Sequence, residues 1–77
     1  MTRFFFNCEG AQNFTDTDGT ELDSIRDVRL QAIQNAGEIL RDHAGSFAES
    51  PRWRLFVTVE GGQTVFVINF STEQPRF

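Results

Sequence analysis

Cys8 and His43 are the residues best suited to nucleophilic or acid–base work in this chain of 77, which has one thiol, one imidazole, and neither lysine nor tyrosine. A Cys–His nucleophile needs the imidazole beside the thiol and a third group to orient it. The spacing supplies neither. Cys8 falls at an inward strand position, where a small thiol packs, and nothing near it in the sequence would lower its pKa. His43 projects from the apolar stripe near the end of a helix, where a ring that becomes cationic is favoured by the helix dipole. The sequence therefore reads as non-enzymatic, with no catalytic and no cofactor-binding residue.

Metal and phosphate chemistry fail on spacing. Asp16, Asp18 and Glu21 surround Gly19 as in a calcium loop, but placing Gly19 at the sixth position puts Phe14 at the first and Ile25 at the twelfth. One cysteine and one histidine are too few for structural zinc. Gly61-Gly62 lies between two strands and does not open a helix, so it is no phosphate loop. No metal or cofactor is expected.

Two surface features carry the functional expectation. The first is acidic: Asp16, Asp18, Glu21, Asp23 and Asp27 stand against Arg26 at the start of a helix. Acids there complement the helix dipole, and such a cluster also fits a basic protein groove in place of a phosphate backbone. The second is apolar: Phe5, Phe56, Val65 and Val67 fall on the sheet face away from the helix. A patch of that kind on a small domain marks an interface, expected here between two copies of the chain. The alternative is a single-strand nucleic-acid sheet, with Phe5 and Phe56 stacking bases and Arg3, Arg52 and Arg54 holding phosphates. A net charge of −4 and a pI near 4.7 oppose it.

The elements that must position these residues follow from periodicity. Trp53 to Phe70 is two apolar runs around Gly61-Gly62, a hairpin with a two-residue turn that pairs Trp53 with Phe70, Leu55 with Ile68, Val57 with Phe66 and Glu60 with Gln63. One face carries Trp53, Leu55, Val57, Val59, Phe66, Ile68 and Phe70. Arg3 to Glu9 alternates as a further strand with Phe4, Phe6 and Cys8 inward. Gly10 to Thr20 is a polar loop, with a short strand through Phe14 and Thr15. Leu22 tucks under the helix. Ser24 caps that helix, which runs from Ile25 to about Ala44. Its stripe is Ile25, Val28, Ala32, Ile33, Ala36, Ile39, Leu40 and Ala44, with Leu30 off it. Gly45 ends the helix, Ser46 to Pro51 is a linker, and residues 71–77 form a loose tail unless Phe77 docks.

The sum is one α+β domain over residues 1–77: an antiparallel three- or four-stranded sheet with one long helix on one face, in the order β-(β)-α-β-β. A domain this small buries only roughly 60% of its unfolded surface. A single cysteine offers no disulfide, so a partner subunit is the natural further source of burial. The lone thiol and the absence of an apolar leader or spanning run point to the cytoplasm and away from membranes.

Arg3-Phe4-Phe5-Phe6-Asn7-Cys8, Asp16-x-x-Gly19-x-Glu21-Leu22, the amphipathic helix and the Val-x-Val-x-x-Gly-Gly hairpin resemble a family of small uncharacterised bacterial domains frequent in rhizobia. Members typically begin Pro-Arg-Tyr-Phe-Phe and carry Asp-x-x-Gly-x-Glu-Leu before an Ala-rich helix. This chain departs with Thr2 for the proline, Asp23 for a proline before the helix, and fewer alanines. The resemblance implies the fold and a bacterial or mobile-element origin, and assigns no site residue. The expected function is a small acidic, homodimeric interaction domain, in its sharpest form an inhibitor of a nucleic-acid-handling complex, similar in size and charge to anti-CRISPR proteins.

Overall fold

The computed structural model describes residues 2–76. They form β1 (Thr2–Gly10), β2 (Thr20–Leu22), α1 (Ile25–Asp42), α2 (Ala44–Glu49), β3 (Arg52–Val59) and β4 (Thr64–Ser71). The four strands make one antiparallel sheet in the order β2-β1-β3-β4, and α1 lies on one face of it. The class is α+β, as the sequence predicts.

The register of the hairpin follows the side-chain alternation. Trp53 pairs with Phe70, Leu55 with Ile68 and Val57 with Phe66. Trp53, Leu55 and Val57 are buried beneath α1 together with Phe4, Phe6 and Cys8 of β1 and Val28, Ala32 and Ala36 of the helix. Alanines at the helix centre let its backbone come close to the sheet. Ser24 caps α1, its Oγ accepting from the Asp27 N–H at 3.1 Å.

Five expectations are corrected. The turn is not a two-residue one with Glu60 opposite Gln63: the Val59 N–H donates to the Gln63 carbonyl, so Glu60, Gly61 and Gly62 form the connection. The register then slips by one between Val57 and Thr58, pairing Thr58 with Thr64. Three-residue connections commonly carry such a bulge. The short strand is Thr20–Leu22, while Phe14 makes only an isolated bridge to Cys8. Gly45 does not end α1, because His43 is the cap and Gly45 lies inside α2. The segment read as a linker coils because Phe47 is buried, edge-on to Trp53 at 5.2 Å and to Phe70 at 5.3 Å. Tertiary packing of one aromatic overrides the glycine signal. Finally, the buried stripe of α1 is narrower than periodicity suggests, with Ile25 at 47% and Ile33 at 58% exposure and Ala44 exposed.

Thr72–Arg76 form no helix or strand and are exposed, and the expected docking of Phe77 lies outside the described residues.

Gly19 has φ +76°, and a Cβ there would stand 2.7 Å from Arg3 Cγ and 2.9 Å from Phe5 Cε1. Gly45 has open space around its Cα and an ordinary helical conformation. Gly19→Ala should lower the unfolding free energy by about 1–3 kcal/mol, while Gly45→Ala should leave it unchanged or raise it by about 0.4–1 kcal/mol. Urea titration of both variants checks the pair.

Candidate functional site

The loop between β1 and β2 explains the first carboxylate of the acidic cluster, Asp16. β1 turns alternate backbone groups away from β3, and the loop collects them. The Cys8 N–H and carbonyl bond Phe14 at 2.9 and 3.0 Å. Asn13 bonds both backbone groups of Gly10 with its side-chain amide, at 3.2 and 3.0 Å. The Phe6 N–H donates to Asp16 Oδ2 at 3.1 Å, and Asp16 Oδ1 accepts from the N–H groups of Asp18 and Gly19 at 3.1 and 3.0 Å. Asp16 is thus a clasp holding the loop to the strand. Its partial burial pushes the carboxyl pKa up, but the three N–H donors together outweigh this and hold it below the ordinary carboxylate value.

Asn7 completes the clasp from the reverse face of the sheet. It is buried, its Oδ1 accepts the Asp16 N–H at 3.0 Å, and its Nδ2 points at the Phe5 carbonyl and Thr58 Oγ1 at 3.3 and 3.4 Å. Sequence alternation places Asn7 on the outer face but gives no sign that it is buried there. The signal lay in Asp16, whose backbone needs an acceptor nine residues back in the chain.

The remaining acids differ in their freedom. Glu21 faces Arg3 across the ladder, Oε1 to Nη2 at 3.6 Å, an exposed pair of small energetic weight. Asp27 is half-buried in the first turn of α1, and Asp18 and Asp23 are exposed. The Asp-x-x-Gly-x-Glu-Leu pattern is therefore a folding unit: a carboxylate clasp, a left-handed glycine, a cross-strand ion pair and a leucine packed against the core.

On the reverse face, Phe5, Phe56 and Val67 are half-buried. Val65 departs from them, because it falls at the bulge and packs against the helix-side core. Gly19 abuts the Phe5 ring, and the Arg54 guanidinium lies over the Phe56 ring at 4.8 Å while its Nη1 donates to Glu9 Oε1 at 3.0 Å. Arg3 Nη1 donates to the Asp18 carbonyl at 2.9 Å. For the nucleic-acid alternative, this means that two of its three arginines are already engaged and that a cation occupies the Phe56 ring face where a base would stack. Arg52 is exposed.

Cys8 lines a cleft of about 290 Å³ between the β1 edge and α1, with Phe6, Phe14, Asn35, Glu38 and Ile39. Burial pushes its thiol pKa up, which disfavours the thiolate. His43, expected on the apolar stripe, is instead the exposed cap between α1 and α2 and does not line that cleft. Among the described residues no three His, Cys, Asp or Glu side chains converge as a metal site. No helix among the described residues is long and apolar enough to cross a membrane.

The family model described as "Domain of unknown function (DUF6894)" matches residues 3–71. No curated protein and no solved structure matches the chain.

Because the Asp16 carboxyl is depressed in the folded state, its contribution is complete above its ordinary pKa of 3.8 and is lost as the pH falls below that value through the folded one. Asp16→Asn should flatten the acid limb of the stability–pH curve. Asp16→Ala should cost roughly 1–3 kcal/mol near neutrality by orphaning the three N–H groups. Thermal unfolding from acid to neutral pH measures both.

Proposed function

The chain belongs to the DUF6894 family of domains of unknown function, and from that premise we propose that it is a small acidic protein-interaction domain without catalysis, acting as a homodimer in the bacterial cytoplasm. One observation supports the interaction-domain reading above others: the helices cover a single face of the sheet, and Phe5, Phe56 and Val67 on the reverse face are only partly buried. A chain of this length has little other surface on which to bury them.

The partner is a basic protein. With the Asp16 carboxylate committed to the loop, the acids left to meet it are Asp18 and Asp23, with Glu21 and Asp27 beside them. They stand where β2 runs into α1, continuous with the loop that abuts Phe5. In its sharpest form the domain is an inhibitor of a nucleic-acid-handling complex, anti-CRISPR-like in that it offers carboxylates to a groove built for phosphates.

The test is inhibition of target cleavage by an RNA-guided nuclease of the host, with affinity followed as salt rises from about 0.05 M to about 0.3 M. Wild-type protein should inhibit, with affinity falling as salt rises. The double variant Asp18→Arg, Asp23→Arg should lose at least about tenfold in affinity. Salt-independent binding, or undiminished inhibition by the reversed variant, would falsify the acidic-contact reading.

A further inference from the structure

The two outer edges of this sheet are treated differently. The Ala11 N–H donates to the Arg52 carbonyl at 3.1 Å and the Thr72 N–H to the Pro51 carbonyl at 3.0 Å. In an antiparallel ladder the direction alternates, so β3 turns its even-numbered residues to β1 and its odd-numbered residues to β4. By the register, Phe66, Ile68 and Phe70 turn their N–H and carbonyl groups to β3. Val67 and Asn69 turn theirs outward. On the far side of β1 the corresponding groups meet β2, Asp16, Phe14 and Asn13. Among the described residues nothing bonds the backbone of Val67 or Asn69 from the open side.

That open edge lacks the usual safeguards. Thr64–Ser71 contains no charge and no proline, and its one irregularity lies at the turn end, leaving Phe66 to Ser71 regular. The helix above it is also unfinished on this side. The Cys8 cleft places Asn35, Glu38 and Ile39 of α1 toward β1. By helical periodicity Ile33 and Leu40 therefore lie toward β4, with Leu30 above them. Leu30 is 48% and Ile33 58% exposed, and Phe66, Ile68 and Phe70 beneath are only half-buried.

We propose that a second copy of this chain pairs antiparallel along β4, joining two four-stranded sheets into one of eight. This rests on the homodimer reading above and moves its contact from the reverse face to a seam at the β4 edge. A two-fold axis perpendicular to the sheet at Ile68 sets Ile68 against Ile68 and Phe66 against Phe70 on the helix side. Val67 then exchanges hydrogen bonds with Asn69. Every residue keeps its face, so no slip turns apolar side chains to solvent. A second copy is the occupant this edge fits because the segment is complementary to itself at this register. It carries no charge, so two chains of −4 bring no like charges together there, and Phe66, Ile68 and Phe70 meet one another on the helix side. Both sets of helices fall on one side, and the reverse face with Phe5, Phe56 and Val67 is left open and doubled for the basic partner.

Sedimentation of the full chain, with amide exchange, tests the seam. The wild type should sediment at twice 8.8 kDa, with the Val67 and Asn69 amides protected. Asn69→Pro removes an N–H that β3 does not use and should give a folded monomer. Ile33→Glu should weaken the dimer by about tenfold or more, and Phe56→Ser should leave it intact. A wild type that stays monomeric up to about 0.5 mM overturns both the homodimer reading and the seam. A dimer that survives Asn69→Pro but is broken by Phe56→Ser overturns the seam alone. Should Asn69→Pro fail to fold, unprotected Val67 and Asn69 amides in a dimeric wild type overturn it equally.

Discussion

The structure depends on closing the outer edge of β1. This strand sits in the middle of the core with Phe4, Phe6 and Cys8 under the helix, yet only its β3 side is paired continuously from Phe4 to Gly10. Three residues of β2 cannot cover the other side, because they reach only Thr2 to Phe4. The chain solves this with side chains where a strand would have used carbonyls: Asp16 takes the Phe6 N–H and Asn13 takes Gly10. A buried N–H left without a partner costs as much as a lost hydrogen bond. The loop from Ala11 to Gly19 is therefore part of the sheet in energetic terms, although little of it has strand geometry.

The same loop ties the two faces together. Its start serves the helix side, where the Gln12 carbonyl accepts from Trp53 Nε1 at 3.2 Å and Gln12 Nε2 donates to Ser46 Oγ at 2.9 Å. Its end serves the reverse side through Asn7 and the Gly19 contact with Phe5. Crossing the edge of β1 between these points requires a left-handed residue pressed close to side chains, which Gly19 supplies. The short helix α2 is drawn into the same corner, since Phe47 fills the space between Trp53 and Phe70.

What was legible in the sequence was whatever repeats with a period. The alternation of β1 and of the hairpin from Trp53–Phe70 to Val57–Phe66, and the centre of the α1 stripe at Val28, Ala32 and Ala36, survive in the structure because burial of one face enforces them. What escaped was set by single contacts. Nothing periodic distinguishes Phe47 in Ala44–Glu49 from a loop residue; its burial comes from two aromatic rings that a local pattern does not include. The bulge at Val65 follows from the length of the glycine turn, and it moved that side chain from the reverse face toward the core. Ile33 reads as core from its spacing alone. It is exposed because the helix overhangs a sheet that stops at β4.

The acidic segment shows why a motif can be specific and still say little about activity. Asp16 captures N–H groups, Gly19 turns the chain, Glu21 pairs with Arg3 and Leu22 packs against the core. A sequence pattern made of such residues identifies the fold, because replacing any of them disturbs a clasp that the core depends on. Other positions are left free by the clasp. On this chain those are the exposed carboxylates of Asp18 and Asp23, the reverse-face Phe5, Phe56 and Val67, and the open backbone of β4.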